Sequence, residues 1–278
     1  MKLDLIDVFG ADGNTGNPLA VVRDAGGMDA SAMLALTRWL GFSETTFLVP
    51  ATDPAADYCV RIFYPAGELP FAGHPTLGTC HAWLAAGGVA RNADRIVQQC
   101  GAGLVPIARD HGALAFRAPP LRRSGPLTAA ERDTAAQRVN VAPASIVDAV
   151  HADNGPGWQL LRLRSAADVL AVEAPARAPV GTEIGLVGPH PEGHPVAFEL
   201  RAFFADGNGR LVEDPVTGSL NAAAAQYLFG AGLATDRYHA AQGQRTGCDG
   251  RVAARIDADG HVWIGGRTAT VACGATLA

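Results

Sequence analysis

Apolar and polar positions alternate along the first residues, MKLDLIDVFG, which predicts a strand with acids among its residues. The most informative pattern lies further on and occurs twice. RIFYPAGELPFAGHPTLGTCHA (Arg61 to Ala82) can be set over RAFFADGNGRLVEDPVTGSLNA (Arg201 to Ala222) at an offset of 140 residues without a gap. Arg61 then meets Arg201, Phe63 meets Phe203, Gly67 meets Gly207, Pro75 meets Pro215, Gly78 meets Gly218, Thr79 meets Ser219 and Ala82 meets Ala222. Each copy reads as strand, turn at the shared glycine, short strand, P-x-x-G-[TS] and an alanine-rich helix, predicted over about 76–86 and 217–231. Both helices are apolar nearly all round, as a buried helix is. GGVA (Gly87 to Ala90) and AGLA (Ala231 to Ala234) extend the match at an offset of 144 residues.

Strand-like runs follow each helix. GLVPIARDHGALAFRA is a hairpin candidate with His111-Gly112 near its turn, and RVAARIDADGHVWIGG is another with Asp259-Gly260 at its turn. PPLRRSGPLTAAERD (Pro119 to Asp133) reads as a linker and the opening of a surface helix. The pattern therefore predicts an α+β protein of two pseudo-symmetric halves, each a barrel-like, mostly antiparallel sheet around one central helix. The halves are expected at 1–118 and 124–265, with a C-terminal strand, 266–278, returning to complete the first.

Composition narrows the class. The chain of 278 residues suits two domains, and 48% hydrophobic with 18% charged residues suits a compact soluble protein. A net charge of -5 without a basic cluster argues against nucleic acid, and no long uncharged apolar run argues for a membrane span. Without an apolar leader the protein is expected in the cytoplasm. The five cysteines include no C-x-x-C and are expected as reduced, mostly structural thiols. His190 and His194 in GPHPEGHP are the nearest approach to metal spacing, and a weak one, so no metal is expected. No phosphate loop or dinucleotide motif is present.

The repeat gives the chemistry a place. Helix N-termini carry unpaired N–H groups and a positive dipole end, which suits a carboxylate or an enolate-like oxygen. Gly73 permits close backbone approach, Gly78 and Gly218 open their helices without bulk, and Thr79 and Ser219 add hydroxyls. In the gapless alignment His74 occupies the position of Asp214, and each precedes a proline, which biases it toward extended backbone. They form a candidate proton-handling pair; the competing reading makes Asp214 a simple helix cap and His74 a loop residue. Glu44, in GFSETTFLVP, stands at the rim of an apolar run where a carboxyl is suited to acid–base work, unless it is a solvated loop acid.

Together, DVFGADGNTGNPLAVV, GFSETTFLVP, RIFYPAGELPFAGHPTLGT and EDPVTGSLNAA resemble the PhzF-like family of phenazine biosynthesis, within the diaminopimelate-epimerase-like fold, over nearly the whole chain. The resemblance implies no metal or organic cofactor and a homodimer. It implies Glu44 as general acid/base, His74 and Asp214 as its partners, and Gly73, Gly218 and Ser219 as contacts of a small carboxylate substrate, with Asn17 lining the site. The implied reaction is an isomerisation like that of trans-2,3-dihydro-3-hydroxyanthranilate. Val216 and Leu220 stand where alanine is common in the family, which reshapes the pocket without removing a catalytic group. Two alternatives remain: an epimerase or racemase acting on amino acids, although the helix mouths lack the paired cysteines of such enzymes, and a non-catalytic small-molecule binder on the same scaffold.

Overall fold

The computed structural model describes residues 1–110 and 112–277. The chain divides into two compact units, Met1–Arg117 with Gly265–Ala278, and Ala118–Ile264. The first carries β1 (Lys2–Val8), β2 (Asn17–Arg23), α1 (Ala30–Leu40), β3 (Thr45–Val49), β4 (Tyr58–Tyr64), β5 (Gly67–Leu69), α2 (Gly73–Ala85), β6 (Arg95–Cys100), β7 (Gly103–Asp110) and β8 (Ala113–Arg117). The second carries β9 (Arg123–Pro126), α3 (Ala129–Arg138), β10 (Ile146–Asp153), β11 (Gln159–Leu163), α4 (Ala166–Leu170), β12 (Glu183–Pro189), β13 (Phe198–Ala205), β14 (Leu211–Asp214), α5 (Gly218–Gly230), β15 (Arg237–Gln242) and β16 (Gly250–Ile256). β17 (Val262–Gly266) spans the boundary, and β18 (Thr268–Thr276) belongs to the first unit, where it runs antiparallel to β1.

The same pairing sequence appears in each unit. In the first, β2 is antiparallel to β1 and parallel to β3, β4 is antiparallel to β3 and β5 and parallel to β6, and β6 through β8 are antiparallel. In the second, β11 is antiparallel to β10 and parallel to β12, β13 is antiparallel to β12 and β14 and parallel to β15, and β15 is antiparallel to β16. The fold is the α+β duplication that the repeat predicts. The expected β7–β8 hairpin forms, with Asp110 opposite Ala113, although His111 lies outside the described residues. Asp257 to His261 make the other turn, closed by the Asp257 N–H on the His261 carbonyl and by Gly260 in the left-handed region.

A central helix fills each sheet. Gly78 of α2 packs where an added Cβ would lie 2.5 Å from Leu19 Cδ2 and 2.9 Å from Val8 Cγ2. In the other unit the glycine sits on the sheet instead: a Cβ on Gly185 would meet Leu220 Cδ1 at 2.2 Å. Either way one side-chain-free position lets helix and strand close up. The opposite sheet faces are covered by the amphipathic helices. Met33 of α1 packs with Val22, Phe47 and Phe63, and Ala135 and Val169 of α3 and α4 pack with Leu161, Leu186 and Phe203. The segment expected as a linker holds a short strand instead. β9 pairs with β10, and its exposed Arg-Ser-Gly-Pro composition hid it from periodicity. Thr128 and Glu131 then form a reciprocal capping box that starts α3.

Register also corrects the repeat. The β4–β5 hairpin turns through two residues, Pro65 and Ala66, whereas β13–β14 turns through 206–210. Phe63 faces Glu68, and Phe203 faces Glu213. The two units therefore match at an offset of 140 up to the first strand and 145 beyond it. Arg61 makes a fork to Glu68 at 2.8 and 2.7 Å, and Arg201 makes the same fork to Glu213 at 2.8 and 2.7 Å. Pro70 matches Pro215, Gly73 matches Gly218, and His74 matches Ser219 rather than Asp214, which falls opposite Leu69. α2 and α5 then coincide along their whole length.

Candidate active site

In the first unit, the site residues are delivered by a glycine-rich loop, the start of β3 and the mouth of α2. The Asp7 carboxylate at the end of β1 accepts the Gly16 N–H at 2.8 Å, which folds the loop 10–16 back onto the strand. A Cβ on Gly10 would fall 2.3 Å from Asp7 Oδ2, and one on Gly16 would fall 2.1 Å from the Val8 carbonyl oxygen, so the loop closes this tightly only with glycine there. Burial raises the Asp7 carboxyl above its ordinary range despite that bond. The loop ends at Asn17, the buried first residue of β2, whose Oδ1 accepts the Ser43 hydroxyl at 3.4 Å. Ser43 is followed by Glu44, immediately before β3.

α2 begins one turn earlier than the sequence pattern predicts. Ala72 is its N-cap and offers no side-chain hydrogen bond, so Gly73 and His74 lie in the first turn. The extended bias expected of His74 before Pro75 is overridden. A proline in the first turn surrenders no intrahelical hydrogen bond, and the turn around it is buried. Gly78 and Thr79, expected at the helix mouth, lie a turn or more inside. The Thr79 hydroxyl donates to Thr46 Oγ1 at 2.8 Å, a packing bond rather than a substrate contact.

His74 Nε2 lies 3.5 Å from Glu44 Oε2. The imidazole is 4% exposed, and Nε2 makes no hydrogen bond among the described residues. Burial alone pushes its pKa from 6.5 down to about 3, so the ring is neutral at physiological pH. The pair is therefore a carboxyl group beside an uncharged imidazole, with one ring nitrogen carrying a proton and the other a lone pair.

In the second unit, Asp214 ends β14, three residues ahead of the Thr217 N-cap of α5. Thr217 donates its hydroxyl to Asp214 Oδ2, and the Thr217 side chain itself makes no cap bond to α5. Gln242, buried at the end of β15, locks this corner. Its Nε2 donates to Thr217 Oγ1 at 2.9 Å and to the Asp214 carbonyl at 3.1 Å, and its Oε1 accepts the Thr217 N–H at 3.0 Å. Since the amide donates to the threonine oxygen, the threonine proton goes to the carboxylate. Gly218 and Ser219 occupy the first turn of α5, as Gly73 and His74 occupy that of α2. The Ser219 hydroxyl accepts the Trp158 indole N–H at 3.1 Å, and the Ser219 carbonyl accepts Asn154 Nδ2 at 2.8 Å.

Thus Asn17, Glu44, Gly73 and His74 share one end of the first unit, and Asp214, Gly218 and Ser219 share one corner of the second. Sequence reasoning missed Ser43, Asn154, Trp158, Thr217 and Gln242. The Glu44 position is also duplicated. Glu183 precedes Ile184, which faces Phe203 as Thr45 faces Phe63, and its carboxylate accepts the Gly157 N–H. Of the histidines with weak metal spacing, His190 and His194 stack at 4.0 Å, and His190 Nε2 lies 3.1 Å from buried Glu199. Asp257, Asp259 and His261 bring ligand atoms within 4.8 Å of one another, but Asp257 is already occupied by turn N–H groups and the Trp263 indole. Among the described residues, no helix is long and apolar enough to cross a membrane.

Comparison with known proteins agrees with this architecture. Residues 6–274 match the model of the phenazine biosynthesis-like protein family. The chain is 36% identical over 172 residues to antisense-enhancing sequence 1 of Schizosaccharomyces pombe, covering 59% of this chain and 58% of that protein. It is 39% identical over 105 residues to trans-2,3-dihydro-3-hydroxyanthranilate isomerase of Pseudomonas aeruginosa, covering 37% of this chain and 36% of that one. These alignments therefore span less than two thirds of either relative. The fold superposes on the phenazine biosynthesis protein, PhzF family, of Bacillus anthracis with a TM-score of 0.80 at 22% identity, covering 100% of this chain and 99% of that one. The chain belongs to the phenazine biosynthesis-like protein family, among relatives named as isomerases.

Proposed function

We propose that the protein is a cofactor-independent isomerase that moves a proton within a small carboxylate substrate, in the manner of trans-2,3-dihydro-3-hydroxyanthranilate isomerase. The observation that carries this reading is the Glu44–His74 pair at the uncapped mouth of α2, a carboxyl 3.5 Å from a buried, neutral imidazole. Glu44 as carboxylate takes a proton from an sp³ carbon conjugated to the substrate's double bonds. The electron pair left behind delocalises toward the substrate carboxylate as a dienolate. Glu44 then returns the proton to a different carbon, and the double bonds end displaced by that shift. No electron leaves the substrate, so the reaction calls for no redox partner.

Each other group has a task in this scheme. His74, being neutral, does not form an ion pair with Glu44 and so does not compete for its charge. Its ring N–H can donate to developing negative charge. The backbone N–H groups of Gly73 and Gly218 and the hydroxyl of Ser219 bind acceptor oxygens, with the helix dipoles favouring anions. Asn17 lines the pocket. Asp214, oriented by Thr217 and Gln242, assists the proton transfer. The homodimer and cytoplasmic location implied by the family resemblance belong to the same proposal.

The test is incubation of chelator-treated protein with trans-2,3-dihydro-3-hydroxyanthranilate in D₂O, followed by ¹H NMR. Double-bond migration supports the reading, with hydrogen at the new sp³ carbon where Glu44 passes the abstracted proton on directly and deuterium where that proton first exchanges with solvent. Inversion of an amino-acid stereocentre without bond migration would instead establish an epimerase. Binding with neither bond migration, inversion nor exchange would establish a non-catalytic binder.

A further inference from the structure

Ser219 is an ambivalent group by chemistry, since a hydroxyl has one proton to give and two lone pairs to receive. Its surroundings reduce the ambivalence. Trp158, 4% exposed, directs its indole N–H at Ser219 Oγ at 3.1 Å, and an indole nitrogen can only donate. One oxygen lone pair is thereby occupied. The Ser219 carbonyl, for its part, is held by Asn154 Nδ2 at 2.8 Å, which fixes the residue in the first turn of α5. Among the described residues, the hydroxyl proton donates to no group. Accepting one hydrogen bond also polarises an O–H and strengthens the bond it donates.

We propose that Trp158 is a specificity-determining residue, acting through Ser219. It biases the serine hydroxyl toward donation, so that the site favours an acceptor there, a carboxylate or enolate oxygen, over an amine or a carboxamide N–H. The inference rests on the reading of Ser219 as a substrate contact and goes beyond it by naming what sets its polarity. Trp158 is a positioning residue in this role, since it touches the hydroxyl and not the reacting atoms. The first unit has no counterpart to the device, because His74 stands where Ser219 stands.

The test pairs anthranilate with anthranilamide as probes, measured by titration calorimetry on wild type, Trp158→Phe, Ser219→Ala and the double variant. Phenylalanine keeps an aromatic ring and removes the donor together with some buried volume, and the Ser219→Ala background separates the two effects. Trp158→Phe is expected to weaken anthranilate by about 3- to 10-fold, the range of one net hydrogen bond, and anthranilamide by less, so that the acid-to-amide preference falls. In the Ser219→Ala background the same change is expected to do nothing further. Equal losses in both backgrounds, or an unchanged acid-to-amide ratio, overturn the proposal, because Trp158 then acts by packing alone. Hydrogen exchange of the indole proton, identified as the ¹⁵N resonance that Trp158→Phe deletes, reads the pair without any ligand. Exchange should be slow in wild type and accelerate in Ser219→Ala; equal rates overturn the pair. If wild type fails to bind anthranilate, the carboxylate reading and this ligand assignment fall together, while the exchange rates still decide whether Trp158 engages Ser219.

Discussion

Whether His74 is charged decides what it can do for Glu44, and its protonation state leaves a trace in stability. The imidazole is 4% exposed, and burial lowers its pKa from 6.5 to about 3. Above pH 6.5 the ring is neutral in both folded and unfolded chains, and the shift costs nothing. Between that value and about 3 the unfolded chain takes up a proton that the native protein excludes. The unfolded state therefore binds more protons, and stability must fall as pH falls, by about 1.4 kcal/mol per pH unit. From pH 7 to pH 5 this comes to about 2 kcal/mol from His74 alone. Urea unfolding at the two pH values measures it. Other groups titrate in the same window, so the quantity to read is the difference between wild type and His74→Asn, with His74→Gln as a second neutral replacement. The variants should lose about 2 kcal/mol less than wild type over that interval. Equal losses would mean that His74 is protonated in the native state, and the neutral-imidazole role would have to be abandoned.

Gly78→Ala should lower stability by about 1–2 kcal/mol in thermal or urea unfolding, because overpacking against Leu19 and Val8 outweighs the gain in helix propensity; a stabilised variant would remove Gly78 from the α2–sheet contact. Thr217→Val deletes the hydroxyl between Gln242 and Asp214 and should reduce kcat/KM by about tenfold with little change in Tm, since one hydrogen bond to a carboxylate is at stake; unchanged kinetics would mean that Asp214 needs no such orientation. Activity should survive exhaustive dialysis against a chelator, and a loss restored by a stoichiometric metal would refute the cofactor-independent mechanism.

The duplication was legible because both copies keep the Arg–Phe strand, the glycine at the helix mouth and the alanine-rich buried helix. Its register was not. The gapless alignment gained matches at Gly67 with Gly207 and Pro75 with Pro215, and these concealed a longer turn at 206–210. The strand register and the paired forks Arg61–Glu68 and Arg201–Glu213 show that the second copy is five residues longer between strand and helix. That shift moved His74 off Asp214 and onto Ser219. It also turned Gly78 and Thr79 from supposed helix-mouth residues into packing residues. His74, Asp214 and Ser219 could be picked out because they sit in short motifs next to helix starts, and Glu44 because it sits in one at the start of β3. Gln242 and Trp158 could not, since their partners lie 25 and 61 positions away and neither stands in a motif. The orientation of a site is set by such long-range contacts, which a linear pattern does not record.

The central claim is that one carboxyl group carries the proton, and Glu44→Gln tests it most directly. Glutamine keeps the size and polarity of the side chain beside His74 but cannot accept and return a proton. With trans-2,3-dihydro-3-hydroxyanthranilate in D₂O, the variant should turn over about 10²–10⁴-fold more slowly than wild type, with anthranilate affinity largely kept and any deuterium incorporation lost in parallel. Near-wild-type turnover by Glu44→Gln would contradict the account and pass the role of base to Asp214 or His74.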